Sequence, residues 1–419
     1  MQDNEKKPAL RFKGFTDPWE QRKLAELTKT ITTGKSVNSD EGEVSDGDIG
    51  VLKTSCVSYD RFNSSESKPV VKSEQQLVKC AVEKDSVIVS RMNTPERVGA
   101  CGYVSTDFPN LFLPDRLWKL KFQDTVDTYF VYMMLVSSAY KEKITSMASG
   151  TSGSMYNIPK ETFLNLQLVI PAKIDEQKQL GKILKKIDTL ITLHQRKYEK
   201  LVNIKKSMLD KMFPKNGASV PEIRFKGFTD LWEQRKLGEI AVFSKGVGYS
   251  KNDLCEEGTP IILYGRLYTK YETCIFDVDT FVKEKAGSVY SKGGEVIVPA
   301  SGETAEDISI ASVVVKPGIL LGGDLNIVSP TAEYDSAFLA LTISSGATHK
   351  YLSSLAQGKS VVHLHNADIQ SVSAKFPTKR EQEKIHLLFG KIDTLITLHQ
   401  RKLKKLQNIK KSCLEKMFV

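Results

Sequence analysis

The chain of 419 residues has few cysteines and no long hydrophobic run, and both shortages exclude certain classes of protein. Its six cysteines lie far apart and none forms a C-x-x-C pair, which argues against a disulfide framework or a structural zinc site. No apolar stretch approaches the ~18 residues of a membrane-spanning helix. The N-terminal segment MQDNEKKPALRF also has no hydrophobic signal-peptide core. We therefore expect a cytoplasmic protein with reduced thiols and no contact with a membrane.

Motifs that bind nucleotides, cofactors or catalytic metals are also missing. The sequence contains no G-x-G-x-x-G, H-E-x-x-H, G-x-S-x-G or Asn-Pro-Pro-aromatic run. Gly34-Lys-Ser36 and Gly358-Lys-Ser360 resemble the end of a phosphate-binding loop, but neither has the glycine that should open that motif. His363 and His365 could share one strand face, yet no third zinc ligand is evident. We expect no catalysis by this chain alone and no metal or cofactor bound to it.

Two stretches of the sequence occur twice. KIDTLITLHQRKYEKLVNIKKSMLDKMF at 186–213 returns at 391–418 with 23 of 28 positions identical. RFKGFTDPWEQRKL at 11–24 returns at 224–237 with one substitution in fourteen. The spacing is 205 residues for the first repeat and 213 for the second, so each repeated half is a little over 200 residues long.

The longer repeat has the periodicity of a coiled-coil helix. Apolar residues recur at alternating steps of four and three, the spacing of the a and d positions that face a partner helix, although polar Lys205 interrupts the first copy. The seam of the first copy consists of Leu180, Leu184, Ile187, Ile191, His194, Tyr198, Leu201, Met208 and Met212, and that of the second of Ile385, Leu388, Ile392, Ile396, His399, Leu403, Leu406, Cys413 and Met417. Two matching seams can bury each other, so we predict two long helices that pair antiparallel within the chain.

Other residues of these helices suggest contacts beyond the pair. His194 and His399 occupy equivalent seam positions, and we interpret them as structural residues, since a polar seam residue can fix register. A further apolar stripe beside the seam would bind either a helical partner chain or the chain's own globular segments. Its members are Ile183, Leu190, Leu193, Ile204, Leu395, Leu398 and Ile409.

The segments between the repeats, 25–171 and 238–377, differ from each other but have the same mixed composition. Short β-rich runs such as SVIVS, GEVIVPA and ASVVV alternate with Gly, Asn, Asp and Ser turns, and we expect a helix of roughly twenty residues after Asp127 and after Asp335. The predicted fold is α/β (α+β) globular domains in tandem, joined by two long antiparallel coiled-coil helices with a pseudo-twofold internal repeat. The predicted segments are 1–171 and 223–377 for the globular domains, 172–222 for the central helix and linker, and 378–419 for the C-terminal helix.

The net charge of +10 is concentrated on the two predicted helices. Residues 173–213 hold 11 Lys and Arg against 5 Asp and Glu, and residues 378–419 hold 11 against 4, so the remainder of the chain is slightly negative. The position of any single lysine can be explained by a solvated helix surface. A basic stripe on a rigid rod also suits a polyanion such as duplex DNA.

The globular segments carry basic, aromatic and amide side chains in loop-like settings. Arg and Lys bond phosphates and guanine edges, and Asn bonds adenine, so these sets suggest DNA contacts, although any single member could be a solvated surface residue. The candidates are Lys35, Arg61, Arg91, Asn93, Arg97, Arg116, Thr151 and Ser152 in the first segment, and Lys245, Tyr249, Lys251, Tyr264, Arg266, Lys270, Lys359, His363 and His365 in the second.

Taken together, the tandem FKGFTD-x-WEQRKL openings, the Glu-Gln helix starts and the twice-used KIDTLITLHQRK helix resemble the specificity (S) subunit of a type I restriction–modification system. The resemblance covers essentially the whole chain. It implies that each variable segment is a target recognition domain and that the repeated helices dock methyltransferase subunits. It further implies a bipartite, asymmetric DNA site with a spacer of fixed length.

The resemblance also implies partners that carry the chemistry. Two modification (M) subunits would methylate adenine with S-adenosylmethionine, and restriction (R) subunits would use ATP and Mg²⁺. The chain itself would be the non-catalytic subunit of that endonuclease and methyltransferase complex. A helix of about 38 residues is about 57 Å long, more than one turn of DNA, so two heads on such a rod can meet separated half-sites.

Two other classes of function remain open from the residues alone. A self-contained restriction endonuclease or methyltransferase would need an S-adenosylmethionine motif or a clustered metal site, and neither is evident. A coiled-coil adaptor without a DNA role would leave the repeated framework around two dissimilar globules unexplained.

Overall fold

A computed structural model of the chain describes residues 8–59, 61–150, 155–215 and 217–418. The chain forms two compact units, Met1–His194 with Arg401–Val419 and Gln195–Gln400, called here the first and the second unit. Each unit contains one globular segment and half of each long helix. The units therefore cut across the segments marked out by the sequence repeats, which place the helices outside the globular domains. Within the described ranges, no helix is long and apolar enough to cross a membrane.

The first unit is built mainly from short strands. Its strands are β1 (Trp19–Lys23), β2 (Thr28–Thr33), β3 (Gly50–Leu52), β4 (Val57–Ser58), β5 (Arg61–Phe62), β6 (Ser67–Pro69), β7 (Ala81–Val82), β8 (Ser86–Ser90), β9 (Met92–Asn93), β10 (Cys101–Val104), β11 (Phe108–Phe112), β12 (Leu117–Phe122), β13 (Tyr156–Asn157) and β14 (Gln167–Pro171). Its helices are α1 (Leu24–Leu27), α2 (Thr128–Leu135), α3 (Ser138–Ser146), α4 (Lys160–Leu164) and the first half of α5 (Ile174–Lys211), with short 3₁₀ turns at Thr54–Cys56 and Lys72–Leu77.

The first unit contains two main sheets, and strand β8 of one of them is buried on both faces. An antiparallel sheet has the strand order β10-β8-β12-β2, and a mixed sheet has the order β6-β3-β11-β7. Val87 and Val89 of β8 point into a core shared with Phe130 of α2, whereas Ile88 points into the core beneath the mixed sheet. Because both faces of β8 are covered, SVIVS is apolar at each of its central positions and not at alternate ones.

The second unit repeats this construction with different loops. Its strands are β15 (Glu233–Lys236), β16 (Ala241–Lys245), β17 (Leu254–Cys255), β18 (Thr259–Ile262), β19 (Cys274–Ile275), β20 (Phe281–Val282), β21 (Glu295–Pro299), β22 (Ser301–Gly302), β23 (Ser312–Val314), β24 (Leu320–Leu321), β25 (Leu325–Pro330), β26 (Val362–His363) and β27 (Ser373–Phe376). Its helices are α6 (Leu237–Ile240), α7 (Arg266–Thr269), α8 (Ala305–Ile308), α9 (Ser336–Ile343), α10 (Gly346–Leu355), α11 (Asn366–Ser371) and α12 (Lys379–Met417), of which α12 continues into the first unit, and a 3₁₀ turn covers Lys251–Asp253.

The second unit's main sheet has the order β16-β25-β21-β23-β19, and a smaller sheet has the order β17-β20-β18-β24. The central strand β21 is again covered on both faces, with Val296 and Val298 in one core and Ile297 in the other. The runs SVIVS, GEVIVPA and ASVVV therefore supply strands, and the mixed α/β prediction is confirmed for both globular segments.

The predicted helix of roughly twenty residues after Asp127 and after Asp335 is wrong in length. Asp127 does begin a helix, because its carboxylate accepts the backbone N–H of Phe130 at 2.7 Å. That helix, α2, ends at Leu135, and Ser137 then turns the chain and bonds the carbonyl of Met134 before α3 begins. In the second unit α9 ends at Ile343 and α10 begins at Gly346, whose φ of +62 lies in the left-handed backbone region. Each expected helix is thus two short ones.

The two long helices run antiparallel inside the second unit. Lys205 of α5 lies 2.6 Å from Asp393 of α12. Just beyond the end of α5, Phe213 packs against Phe389 of α12, with ring centroids 6.5 Å apart. A step forward along α5 therefore corresponds to a step backward along α12.

The first unit shows the same direction. Asp188 of α5 lies 2.7 Å from Lys410 of α12. Leu180 and Leu184, which come earlier in α5, share a core with Phe418, which follows the end of α12. The predicted antiparallel pairing is confirmed in each unit.

Candidate nucleic-acid interface and helix framework

The shared opening motif and the start of each long helix bind each other. Arg11 donates from Nε and Nη2 to the two carboxylate oxygens of Glu176, at 2.6 and 2.8 Å. Arg224 makes the same pair of bonds to Glu381, both at 2.8 Å. The glutamate side chains are 2% and 1% exposed. Hydrogen bonding to these carboxylates raises the pKa of both arginines, so both guanidinium groups stay charged.

The glutamine that follows each glutamate joins the helix start to the globular segment. Gln177 accepts the backbone N–H of Asp127 at 3.0 Å and donates to the carbonyl of Pro171 at 2.9 Å. Gln382 repeats both bonds with Asp335 and Pro377, each at 2.9 Å. In each unit, four parts of the chain therefore meet at one point. They are the opening motif, the end of the last strand, the start of α2 or α9, and the start of the long helix. We call these contacts the helix framework; the repetition of Arg-Phe and Glu-Gln in both halves is the sequence signal that could have pointed to them.

One framework position differs between the units. In the first unit Gly181 leaves no room for a side chain, since a Cβ would lie 2.5 Å from the Asp127 carboxylate. His386 takes the equivalent position in the second unit, with Nδ1 2.8 Å from the Asp335 carboxylate. Contact with Asp335 raises the pKa of His386. Burial opposes ionisation of Asp335, but the histidine and the helix N–H groups outweigh it and lower the pKa. Asp127 has no such histidine, and burial raises its pKa.

Several predicted DNA contacts of the first unit lie at one end of its antiparallel sheet. Gly34, directly after β2, packs against the loop after β11, because a Cβ there would lie 1.5 Å from the carbonyl oxygen of Leu113. Ser36 donates to the carboxylate of Asp115 in that same loop. Lys35 and Arg116, which belong to these two touching loops, are exposed. The structure therefore brings both side chains to one sheet end.

The ribbon formed by β9 and β13 adjoins the same end. Arg91 donates from Nε to the carbonyl of Asp115 at 2.7 Å and from Nη1 to Asn157 at 3.0 Å. Asn93 is buried, donates to Ser90 at 3.0 Å and accepts the backbone N–H of the next residue at 2.9 Å. The guanidinium of Arg91 thus links the ribbon to the neighbouring loop, whereas the amide of Asn93 bonds within its own turn and does not face solvent as a base reader must.

Two further arginines of the first unit are exposed. Arg97 follows the ribbon, and Arg61 lies on β5. Tyr59, in the turn between β4 and β5, donates to the carbonyl of Val98 at 2.8 Å, which places the hairpin of Arg61 beside the turn of Arg97. Thr151 and Ser152, also predicted contacts, lie outside the described residues.

The second unit has an equivalent loop cluster. Lys245 ends β16 and is exposed, and the next residue, Gly246, lies against Gly322, since a Cβ would be 1.9 Å from its carbonyl oxygen. The β22–β26 ribbon sets His363 opposite Ser301, whose hydroxyl lies 3.0 Å from the ring Nδ1. The rings of His363 and His365 are exposed and nearly parallel, with centroids 6.5 Å apart. Among the described residues, no cluster of His, Cys, Asp and Glu could hold a metal ion.

Other candidates of the second unit are held by internal bonds. Arg266 bonds Asp279 at 2.9 Å and Glu272 at 2.7 Å, and its side chain is only 8% exposed. Lys270 bonds Asp279 at 2.7 Å. These contacts neutralise both cations and close the loop between α7 and β20.

Two tyrosines also face inward. Tyr249 accepts the backbone N–H of Lys285 at 2.7 Å, and Tyr264 packs against an apolar core. Lys251 and Lys359 remain exposed. The exposed predicted contacts of this unit are therefore Lys245, Lys251, Lys270, Lys359, His363 and His365.

The apolar stripe beside the helix seam is largely uncovered. Six of its seven members are between 38% and 44% exposed, and Leu190 is half-buried. The exposed members are Ile183, Leu193, Ile204, Leu395, Leu398 and Ile409. The chain's own globular segments thus leave this surface open, which favours a partner chain over the alternative of internal packing.

Comparison with known proteins points to one family. The sequence matches the type I restriction modification DNA specificity domain over residues 16–203 and 229–408. It is 24% identical over 297 residues to the specificity subunit of the type I restriction enzyme MjaVIII from Methanocaldococcus jannaschii, covering 68% of each chain. The fold is similar to that of the type I restriction–modification S subunit from M. genitalium, with a TM-score of 0.62, 17% identity and 99% of each chain covered.

Proposed function

The chain belongs to the type I restriction modification DNA specificity domain family, and we propose on that basis that its two units read the two halves of a bipartite DNA site. One observation carries the proposal: both units have the same helix framework but different loops at the same end of the main sheet. Gly34 and Gly246 sit at equivalent points in these loops. A constant frame with unlike loops suits two readers of unlike sequences.

The side chains at these sheet ends fit contact with a polyanion. Lys35, Arg97 and Arg116 are exposed in the first unit, and Lys245 and Lys359 are exposed in the second. Cations of this kind hold phosphates, and arginine also reads guanine in the major groove. The excess positive charge of the long helices adds attraction that does not depend on DNA sequence.

Exchange of one globular segment tests the proposal. Residues 25–171 are replaced by the matching segment of another family member, and the methylated motif is read by sequencing DNA from cells that also carry the partner subunits. We expect one half of the motif to change while the other half and the spacer stay the same. The reciprocal exchange of residues 238–377 is the matched control and should change only the other half. A change in both halves from either exchange would contradict separate reading heads.

Single substitutions resolve which cation reads bases. Arg116→Ala and Lys35→Ala alter exposed residues on touching loops of the first unit. A base-reading arginine should cost about 1–3 kcal/mol at one base pair, whereas a phosphate-bonding lysine should weaken binding almost equally for all sequences. Affinity for a panel of single-base variants of the site, measured at fixed salt, separates the two. Equal affinity of both variants and the parent for every site would remove this sheet end from the interface.

The exposed apolar stripe is the proposed docking surface for helices of the methyltransferase subunits. Leu193 and Leu398 are equivalent residues, 44% and 43% exposed. Leu193→Glu with Leu398→Glu should abolish co-elution with the methyltransferase subunits and leave thermal unfolding of the isolated chain unchanged, because neither residue belongs to the seam. Leu231→Glu is the control, since Leu231 is 70% exposed and lies outside the long helices. A lower melting temperature with intact complex formation would assign the stripe to the fold instead.

The chemistry in this proposal belongs to the partners. Two M subunits would supply S-adenosylmethionine-dependent adenine methylation, and R subunits would use ATP and Mg²⁺; this chain would bind none of these groups. The purified chain, incubated with labelled S-adenosylmethionine and DNA, should transfer no methyl group until M subunits are added. Transfer by a homogeneous preparation of the chain alone would refute this division of labour.

A further inference from the structure

Two ion pairs connect α5 with α12, and they are equivalent under the internal repeat. Asp188 Oδ1 lies 2.7 Å from Lys410 in the first unit, and Asp393 Oδ1 lies 2.6 Å from Lys205 in the second. The two aspartates are 205 residues apart in sequence, as are the two lysines. The lysines fall at seam positions, and Lys205 is the polar residue that interrupts the apolar pattern.

These charges are shielded from solvent and further bonded. The four side chains are between 15% and 29% exposed. The second oxygen of Asp188 accepts from the hydroxyl of Tyr129 at 2.5 Å, and that of Asp393 accepts from Thr273 at 3.1 Å. Each aspartate therefore joins three elements, namely its own helix, the opposite helix and the globular segment of its unit. A charge in such a place is costly when its partner is absent.

We infer that these two reciprocal ion pairs set the direction and the register in which the long helices pair. If the equivalent positions of the two helices were aligned in parallel, Asp188 would face Asp393 and Lys205 would face Lys410. Both contacts would then join like charges. Only the antiparallel arrangement pairs each aspartate with a lysine.

The same charges also disfavour a register in which one helix is shifted by a heptad along the other. The apolar seam repeats every seven residues, so sliding one helix by a heptad still sets apolar residues against apolar residues. After such a slip Asp188 would face Leu403 or Met417, neither of which is basic, and Lys205 would likewise lose its acidic partner. The seam supplies most of the attraction, and the ion pairs choose one alignment, a known use of polar groups in coiled coils.

The consequence for DNA rests on the proposed function. If the helices fix the separation of the two half-sites, the four charged residues are positioning residues for the spacer. A one-heptad slip would move one helix along the other by about 10 Å, roughly three base pairs of DNA.

Charge exchange on α12 tests the inference. Asp393→Lys with Lys410→Asp keeps the net charge but sets like charges against each other in both units. We expect the melting temperature of the isolated chain to fall by roughly 5–10 °C, because two shielded ion pairs become repulsive. Adding Asp188→Lys and Lys205→Asp on α5 restores opposite charges and should recover most of that loss. Lys411→Glu with Glu415→Lys is the control, since it exchanges an exposed pair on the same helix and should shift the melting temperature little.

The outcomes are decisive without DNA or partner chains. The inference is overturned if the α12 exchange melts like the control, or if the fourfold exchange melts as low as the α12 exchange. The fourfold exchange also removes the acceptors of the Tyr129 and Thr273 hydroxyls, so its recovery is compared with a parent that carries Tyr129→Phe and Thr273→Val. Sequencing of methylated DNA then tests the spacer separately. The fourfold variant should keep the parental spacer. If the destabilised α12 exchange also kept the parental motif, the ion pairs would not set the spacer length, and the proposed function would be unaffected.

Discussion

The two units make the same contacts where the long helices leave the globular segments, and different contacts around them. The paired arginine and glutamate, Arg11 with Glu176 and Arg224 with Glu381, have the same geometry to within 0.2 Å. The apolar cores beside them keep some equivalent residues and exchange others. A repeat that keeps buried charge and changes apolar packing shows which contacts the architecture requires, because apolar packing tolerates substitution and a buried ion pair does not.

One position of the helix framework differs between the units, with Gly181 in the first and His386 in the second. Both residues lie about two turns into the long helix, beside the aspartate that caps α2 or α9. The first unit brings the Asp127 carboxylate so close that no side chain fits, whereas the second unit turns the same closeness into an ion pair with Asp335. One framework thus accommodates two solutions, which gives the units separate responses to mutation and pH.

Removal of either buried glutamate should have the largest effect. Glu176→Ala leaves Arg11 without a partner, and Glu381→Ala does the same to Arg224, so each should destabilise its own unit by about 3–5 kcal/mol. Hydrogen exchange followed by mass spectrometry reports the two units separately. Glu20→Ala and Glu233→Ala, at equivalent exposed positions of the opening motif, are the controls and should change little. Equal loosening of both units by one substitution would mean that the framework couples them.

Gly181→Ala should have the next largest effect. The added Cβ would lie 2.5 Å from the Asp127 carboxylate and 3.4 Å from the N–H group that this carboxylate caps. Overpacking of this kind costs about 1–3 kcal/mol. Gly390→Ala is the matched control in the other long helix, where a Cβ meets no atom within 4 Å, and it should stabilise by up to about 1 kcal/mol. Urea unfolding of both variants gives the difference; similar stability for the two would show that α2 shifts to make room.

The sequence alone predicts the long helices, their antiparallel pairing and the two mixed α/β segments, because periodicity and repetition are local properties of the chain. It does not predict the partner of Glu176, since Arg11 lies 165 residues away and no periodicity links them. The break after Leu135 was also hidden, because the apolar composition of residues 128–144 suits one helix as well as two.

The candidate DNA contacts could also be predicted only in part. Residue type indicates which side chains could bind DNA, but only tertiary contacts tell a free cation from an internal one. Arg116 is exposed, whereas Arg266 is enclosed by two acidic residues that follow it in the sequence. Asn93 satisfies its hydrogen bonds inside its own turn. Short-range bonds of this kind depend on backbone conformation, which residue type does not reveal.

The His386–Asp335 pair should give the second unit a pH dependence that the first lacks. Because the folded pKa of His386 is raised, its contribution is complete below the unfolded value of about 6.5 and is lost as pH rises through the folded value. The lowered pKa of Asp335 keeps the pair charged down to acidic pH. Glu383 also favours the charged histidine. His386→Gln should therefore cost at most about 1 kcal/mol near pH 6 and progressively less at higher pH.

Urea unfolding at a series of pH values measures that effect, with Gly390→Ala as a control that adds no titrating group. A stability difference between parent and His386→Gln that stays constant from about pH 6 to pH 9 would contradict the ion pair, because the pair's contribution decreases as the histidine loses its proton.

The two framework tryptophans should give the smallest difference. Trp19 and Trp232 are equivalent and buried, but Trp19 donates from Nε1 to Glu176 at 3.4 Å, whereas the Nε1 of Trp232 has no hydrogen-bond partner among the described residues. Replacement by phenylalanine leaves a similar cavity in both units, so the lost volume cancels in the comparison. Trp19→Phe also removes a donor from a buried carboxylate, while Trp232→Phe removes a buried N–H that is already unsatisfied. Because the bond is long, Trp19→Phe should be less stable than Trp232→Phe by only about 0.5 kcal/mol in urea unfolding, and the reverse order would show that Glu176 needs only its arginine.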